Sequence, residues 1–178
     1  LSLRRQRQMC IRDRSGKQVF MISRSFDAPI DIMFDTWSNP KKIAEWLSPT
    51  GTTMEYFEAD IRSGGKSSYK MGNDHFTMYG SAAYMKVERP HLLVYTQQFN
   101  DKDGKISRHP MVPTWPETML THVVFTSINE STTLVSVTWE ATAQYTPEEL
   151  DVFISMRSNM TMGWTGSFDK LEAYLHGR

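Results

Sequence analysis

The residue types that most often bind metals are scattered along this chain. His75, His91, His109 and His122 fall in predicted turns, a loop and a strand, and His176 ends the last predicted helix. No two of them share metal-ligand spacing on one helix, and neither an HExxH nor a CxxC motif occurs. The pattern predicts no metal site. It leaves His109 either as a structural residue of a long loop or as a group that overhangs a pocket mouth.

The sequence also lacks a pattern that would predict acid–base or nucleophilic catalysis. Two carboxylates on neighbouring strands could act as general acid and base. The available ones fit turns, strand ends or polar faces: Glu55, Glu58, Asp60, Glu117 and Glu140. No Gly-x-Ser-x-Gly motif marks a nucleophilic serine, and the Gly64-Gly65 pair lies in a hairpin turn without a following helix, unlike a phosphate loop. We predict no catalytic residue and no cofactor.

Apolar and adaptable side chains are the feature that stands out. The chain has 12 methionines, whose flexible side chains fill irregular space. They either replace leucine in an ordinary core or line a pliable pocket, and both interpretations stay open. The pocket, typical of small-molecule sites, would have Trp46 and Trp115 near its mouth. The remaining candidate ligand-binding residues are Tyr69, Met71, Tyr95, Gln97, Trp139, Met156, Met160 and Trp164.

A long C-terminal helix, residues 146–175, would position part of this pocket. Thr146, Pro147 and Glu149 form a helix start with a capping box. Large residues then recur every three or four positions, which places them on one stripe: Leu150, Phe153, Met156, Met160, Trp164, Phe168, Leu171 and Leu175. Gly163 inside this helix indicates either ordinary packing with a close helix–sheet contact or a helix that covers the sheet at one end and a cavity at the other, and both interpretations stay open.

Alternating apolar residues predict strands before that helix. The predicted ranges are 18–26, 54–61, 67–71, 76–87, 92–99, 119–128 and 132–143, with two short helices between residues 30 and 47. Residues 100–116 form a long loop, and such loops are often functional. This order predicts an α+β domain in which a curved antiparallel sheet of about six strands surrounds the long helix.

Composition and charge limit the function classes. The 178 residues suffice for one domain, and the formal net charge is zero. Residues 1–14 hold five arginines and one aspartate, and we interpret them as a non-native or disordered extension before a single domain at 15–178. Without that tail there is no basic patch, so we expect no nucleic-acid or membrane partner. The only cysteine, Cys10, and the absence of a signal peptide favour the cytoplasm.

Several short motifs, taken in order, resemble one known family. They are Arg24–Pro29, Phe34–Trp37 with Asn39-Pro40, Ala44–Pro49, Asp60–Lys66, His109-Pro110 with Trp115-Pro116, Thr133–Trp139, and Gly163-Trp164 with Leu171–Leu175. Together they resemble the AHSA-type group (homologues of an activator of a heat-shock chaperone ATPase) of the START-like, or SRPBCC, superfamily. The resemblance covers residues 18–176 and implies a helix-grip fold with a hydrophobic cavity between sheet and helix. Leu47 departs from the family, where many relatives carry a second tryptophan.

Three functional hypotheses result. The favoured one is a soluble binding protein for a small hydrophobic or amphipathic ligand held in the cavity. The resemblance also implies two alternatives: a cyclase- or hydrolase-like enzyme that uses the same cavity, and a chaperone-associated interaction module. The enzyme would need an ionisable residue on the cavity wall. A homodimer and a chaperone partner both stay open.

Overall fold

The computed structural model describes residues 7–12, 18–142 and 144–177. These residues form nine β-strands and four α-helices, which confirms the α+β class. In chain order they are β1 (Arg7–Arg12), β2 (Gln18–Phe26), α1 (Ile30–Ser38), α2 (Pro40–Trp46), β3 (Thr53–Ala59), β4 (Lys66–Asn73), β5 (Phe76–Glu88), β6 (Leu92–Asn100), β7 (Ile106–Ser107), β8 (Thr118–Asn129), β9 (Thr132–Ala141), α3 (Pro147–Ser155) and α4 (Arg157–His176).

All strands belong to one curved antiparallel sheet. The strand order is β1-β2-β9-β8-β6-β5-β4-β3, and the short β7 pairs with β6. Alternate residues of β2 face the core: Phe20, Ile22 and Phe26 are completely buried. This alternation is what an antiparallel sheet with one covered face requires. The helices lie on that covered face, so the helix-grip architecture is confirmed.

The number of strands exceeds the predicted six, and β1 is one reason. The sequence predicts no element before residue 15, whereas Arg7–Arg12 pairs with β2, from the Arg7–Ser23 pair to the Arg12–Gln18 pair. An edge strand joins a sheet through backbone N–H and C=O groups, so no side-chain pattern need mark it. The prediction that this segment belongs to no element is therefore wrong. The rest of residues 1–14 lies outside the described residues, and a non-native origin stays a prediction.

The two short helices are confirmed, and a kink at Asn39 joins them. The Asn39 side chain accepts a hydrogen bond from the Lys41 backbone N–H at 3.1 Å, and Pro40 occupies the first helical position, where no N–H is needed. Trp37 of α1 and Trp46 of α2 are buried against each other, with ring centroids 4.5 Å apart. α2 also packs against α4 and β3.

The predicted C-terminal helix is correct in position but not in continuity. Thr146 and Glu149 form the expected capping box: the Thr146 hydroxyl accepts from the Glu149 N–H, and a Glu149 carboxylate oxygen accepts from the Thr146 N–H. The helix then breaks at Met156, whose backbone has ψ near 2°. It restarts as α4, whose buried stripe includes Trp164, Phe168 and Leu171. One predicted helix is therefore two.

Polar contacts fix α4 at both of its flanks. On one side the buried Arg24 of β2 donates to Asp169 at 2.6 Å. On the other side Ser167 donates to the Leu47 carbonyl and Lys170 donates to Ser48, each at 2.8 Å. Buried donors of this kind are costly to leave unpaired. These contacts therefore hold α4 at a set distance from both the sheet and the end of α2.

Candidate functional site

A cavity of about 240 Å³ lies between the concave face of the sheet and α4. We call it the inner chamber. Its walls come from α1, α2, the strands β3 to β6, β9 and α4, and most of them are aromatic or aliphatic side chains. They include Trp37, Leu47, Met54, Tyr56, Tyr69, Met71, Met78, Tyr84, Leu93, Tyr95, Gln97, Phe99, Trp139, Met160, Gly163 and Trp164. Since protein interiors are normally close-packed, a space of this size is a feature that the fold maintains.

A second cavity of about 300 Å³ adjoins the first, and we call it the outer chamber. The two share six wall residues: Pro49, Tyr69, Gln97, Phe99, Trp139 and Met160. Its remaining walls come from the 101–117 loop, through His109 and Trp115, and from the α3–α4 junction, through Met156 and Asn159. The chambers therefore form one elongated site, deep at the sheet and covered by the loop at the other end.

Four of the five tyrosine side chains that line the inner chamber, Tyr56, Tyr69, Tyr84 and Tyr95, place phenol groups in its wall. Tyr56 and Tyr69 pack edge to face with centroids 5.9 Å apart, and Tyr84 and Tyr95 lie 5.5 Å apart. Burial raises the pKa of Tyr69 to about 12, and a hydrogen bond with the Gln97 side chain partly opposes that rise. Burial also raises the pKa of each of the other three phenols. All four are therefore neutral hydroxyl groups at physiological pH.

Hydrogen bonds fix the orientation of several of these polar groups. The Thr121 hydroxyl donates to the Gln97 carbonyl oxygen at 2.7 Å. This leaves the Gln97 amide nitrogen to face the Tyr69 hydroxyl, which agrees with its lowering effect on that pKa. On the adjacent strands the Ser67 and Tyr84 hydroxyl groups lie 3.2 Å apart. The cavity thus combines an apolar surface with a small set of positioned neutral polar groups.

The position of the Tyr69 ring depends on Gly80. Tyr69 in β4 pairs with Gly80 in β5, and its ring lies directly across the glycine. A β-carbon at position 80 would fall 2.6 Å from ring atoms of Tyr69, closer than real contacts allow. Glycine is therefore required here for close approach and not for its backbone freedom.

The 101–117 loop is held in place by two side chains. Arg108 donates to the buried carboxylate of Glu149 at 2.5 Å and so connects the loop to the start of α3. Nδ1 of His109 accepts hydrogen bonds from the backbone N–H groups of Met111 and Val112, at 3.1 and 3.2 Å. The His109 ring also packs on Phe99, 4.6 Å between centroids. His109 is thus both a structural residue of the loop and a wall residue of the outer chamber.

Acidification is expected to loosen this loop. Burial holds the pKa of His109 below its ordinary value of 6.5. Protonation would turn Nδ1 from an acceptor into a donor, so it could no longer accept the hydrogen bonds from the Met111 and Val112 backbone N–H groups. The pKa of His109 is lower in the folded protein than in the unfolded chain. The stability that the neutral His109 side chain contributes is therefore complete above pH 6.5 and is lost as the pH falls through the pKa of the folded protein. Hydrogen exchange of the Met111 and Val112 amides, corrected for intrinsic rates, should therefore accelerate from about pH 7.5 to about pH 5.

The matched control for this prediction is His109→Asn. The asparagine carbonyl oxygen keeps an acceptor for the two backbone N–H groups but does not titrate. In this variant, hydrogen exchange of the Met111 and Val112 amides, corrected for intrinsic rates, should not change with pH. The same pH dependence in both proteins would show that His109 does not control the loop.

The structure brings together nine of the ten candidate ligand-binding residues. Those that line the inner chamber are Tyr69, Met71, Tyr95, Gln97, Trp139, Met160 and Trp164. Trp115 and Met156 line the outer chamber. Trp46 is the candidate that lines neither chamber. It is completely buried, and its indole N–H donates to the Thr36 carbonyl at 3.2 Å, so the predicted place at the mouth is wrong. A tryptophan on an apolar helix face can complete the core as readily as it can line a cavity.

Two further expectations need correction or addition. No atom lies within 4 Å of a β-carbon built on Gly163, so of the two interpretations the close helix–sheet contact is wrong there, and Gly163 borders the inner chamber. Tyr56 and Tyr84 were not among the sequence candidates. Tyr56 has the same strand parity as the buried Met54, and Tyr84 has the same parity as the buried Ala82, so period-two alternation could have identified both.

The enzyme alternative needs a His, Asp or Glu side chain on the cavity wall; among the described residues the outer chamber has such side chains, so this alternative stays open. His109 and Glu117 line the outer chamber, but His109 uses Nδ1 as an acceptor, so its proton lies on Nε2 and leaves no free base. Lys170, whose pKa burial lowers, lies 2.8 Å from the Ser48 hydroxyl, yet Ser48 is completely buried and no substrate can reach it. Among the described residues, no group of three His, Cys, Asp or Glu is arranged to hold a metal ion.

Comparisons with known proteins agree with this architecture. Within the described part of the chain, no helix has the length and apolarity that a membrane crossing needs. A protein from Mycobacterium smegmatis matches with a TM-score of 0.76 at 19% identity, covering 95% of each chain. A protein from Arthrobacter aurescens matches with a TM-score of 0.75 at 19% identity, covering 90% of this chain and 87% of that one. At such identities the likeness concerns the fold.

A further solved structure carries the family's name. The AHSA1 protein from Silicibacter pomeroyi matches with a TM-score of 0.67 at 17% identity, covering 89% of this chain and 97% of that one. No curated protein matches the sequence. The family model described as "Activator of Hsp90 ATPase homolog 1-like protein" matches residues 27–176, which contain α1 to α4 and every wall residue of both chambers. The chain therefore belongs to the Activator of Hsp90 ATPase homolog 1-like protein family.

Proposed function

We propose that this protein binds a small hydrophobic or amphipathic molecule in the cavity between the sheet and α4. The observation that carries the proposal is an unfilled inner chamber, continuous with a second one, whose walls are mostly apolar. Ligand sites have this composition: an apolar surface with a few placed polar groups. The positioned hydroxyl and amide groups of Tyr69, Tyr84, Tyr95 and Gln97 would orient the ligand.

Burial of apolar surface would provide most of the affinity. At about 25 cal/mol per Å², removing roughly 250 Å² of ligand and wall surface from water contributes about 6 kcal/mol. This corresponds to a Kd in the tens of micromolar, before ordering costs. Each additional buried CH₂ group in the outer chamber would add about 0.8 kcal/mol, so longer ligands that fill both chambers should bind more tightly.

The direct test is mass spectrometry of the purified protein under non-denaturing conditions, before and after incubation with apolar compounds. We expect bound ligand to appear as added mass. Met160 is a wall residue of both chambers, so Met160→Trp should remove the added mass while leaving the circular-dichroism spectrum unchanged. Unaltered uptake by a folded Met160→Trp protein would exclude this cavity as the site.

A second candidate is association with a chaperone ATPase. The observation that favours it is the family itself, whose description refers to an Hsp90 activator homologue, although a shared fold alone is a weak warrant for a shared function. Addition of the purified protein to an Hsp90 ATPase assay should then raise the rate. An unchanged rate, together with no co-precipitation of the chaperone, would remove this candidate and leave ligand binding unaffected.

A further inference from the structure

We infer that the inner chamber selects uncharged ligands that carry a neutral hydrogen-bond acceptor. This inference rests on the proposed function and specifies its ligand class. The first observation is the chemistry of the wall. Among the described residues, the inner chamber has no aspartate, glutamate, histidine, lysine or arginine side chain in its lining, and its polar groups are phenol, hydroxyl, amide and indole N–H groups.

A charged ligand would find no partner in such a wall. Moving an ion from water into a protein interior costs several kcal/mol even after relaxation, unless an opposite charge compensates. The phenols cannot supply that charge, because burial raises the pKa of each of them. The ring faces could attract a cation, but a desolvated cation–π contact contributes only about 2 kcal/mol. The cost of desolvating an ion therefore exceeds what this wall returns, so a neutral ligand is favoured over an anion or a cation.

The second observation identifies where the neutral acceptor would bind. The Tyr84 hydroxyl lies 3.2 Å from that of Ser67, and hydrogen bonding to Gln97 and to Thr121 lowers the pKa of Tyr69 and of Tyr95, respectively, against the larger effect of burial. The Tyr56 hydroxyl has no hydrogen-bond partner among the described residues, although Tyr56 lines the chamber and burial strongly raises its pKa. This hydroxyl is therefore available to donate to a carbonyl, ether or hydroxyl oxygen. The buried indole N–H groups of Trp37, Trp139 and Trp164 also line the chamber without a partner among the described residues, and buried donors are costly to leave unpaired.

Aromatic rings make up much of the wall of the inner chamber. Tyr56 meets Tyr69 edge to face, and on the α4 side Trp164 stacks on Trp37 with an interplanar angle of 12° and meets Trp139 at 70°. Flat rings of the ligand would find both faces and edges to pack against, in the offset and edge-to-face arrangements that aromatic pairs prefer. The ligand class that fits best is a neutral aromatic molecule with an oxygen acceptor.

The experiment compares four probes that share one ring system and differ only in charge and polarity: naphthalene, naphthol, naphthoate and a naphthylmethyl-trimethylammonium salt. Binding to the full-length protein is measured by calorimetry near neutral pH. We expect naphthol to bind about 100-fold more tightly than either ion, because the ions pay the uncompensated desolvation cost. Tyr56→Phe should weaken naphthol about 10-fold and leave naphthalene unchanged.

The matched control is Tyr145→Phe, which removes a phenol hydroxyl from an exposed residue and should change no affinity. Either ion binding within a few-fold of naphthol would overturn the inference while leaving the proposed function intact. Equal loss of naphthol and naphthalene in Tyr56→Phe would also overturn it, since the hydroxyl would then have no specific role. Failure of all four probes, naphthalene included, would count against the proposed function itself.

Discussion

Replacing Gly163 with leucine is expected to weaken ligand uptake about 10- to 100-fold while making the protein more stable. Gly163 borders the inner chamber, and no atom lies within 4 Å of a β-carbon at this position, so the leucine side chain would enter free space. Overlap with a ligand would cost about 1–3 kcal/mol, and each 1.4 kcal/mol is a factor of ten. A glycine inside a helix costs about 1 kcal/mol, so Tm should rise by about 2–4 °C.

The matched control is Met162→Leu, one position earlier on the same helix. Met162 is 67% exposed and is not a wall residue of either chamber, so this substitution should alter neither uptake nor Tm. Titration with a fluorescent apolar probe and thermal unfolding measure both quantities on the same samples. Uptake by Gly163→Leu equal to that of the control would mean that ligands do not occupy the space beside α4.

Replacing Phe168 with alanine is expected to reduce the free energy of unfolding by about 3–5 kcal/mol, the cost of emptying a large buried site. Phe168 is completely buried. Its ring lies 5.3 Å from that of Phe26 in β2 and 5.5 Å from that of Trp164, and the Arg24 guanidinium lies over it at 5.4 Å. The substitution removes a buried aromatic contact between α4 and β2. Urea unfolding followed by fluorescence measures the loss.

Phe57→Ala provides the corresponding surface control. Phe57 is 58% exposed and packs on Tyr79 with centroids 6.3 Å apart, so its replacement should cost no more than about 0.5 kcal/mol. A loss below about 1 kcal/mol for Phe168→Ala would be outside the range for core aromatic residues. It would show that the sheet is stable without this part of the helix.

Periodicity predicted the elements that bury a continuous face. The residues Trp164, Phe168 and Leu171 recur at helical spacing, and all three are buried in α4. The alternation in β6 likewise placed Tyr95 and Gln97 on the cavity wall. Such patterns are reliable because burial of one face is what selects them.

Periodicity could not predict the features that depend on tertiary contacts. The helix breaks at Met156 although the apolar stripe continues past it, so the spacing does not reveal the break. β1 joins the sheet through backbone groups that every sequence has. Trp46 fills the core beneath Trp37 instead of bordering the cavity, because a helix face that is apolar can serve either purpose. The sequence alone also cannot show how much of the enclosed volume the methionines leave empty.

The contact between Tyr69 and Gly80 gives the cavity an adjustable depth. Tyr69 borders both chambers, and its ring rests where any larger residue at position 80 would have its first side-chain carbon. A single methyl group added at that position would displace the ring and change the shape of the cavity. Position 80 is not a wall residue of either chamber, so the shape of the cavity depends on a backbone atom that lies behind its aromatic surface.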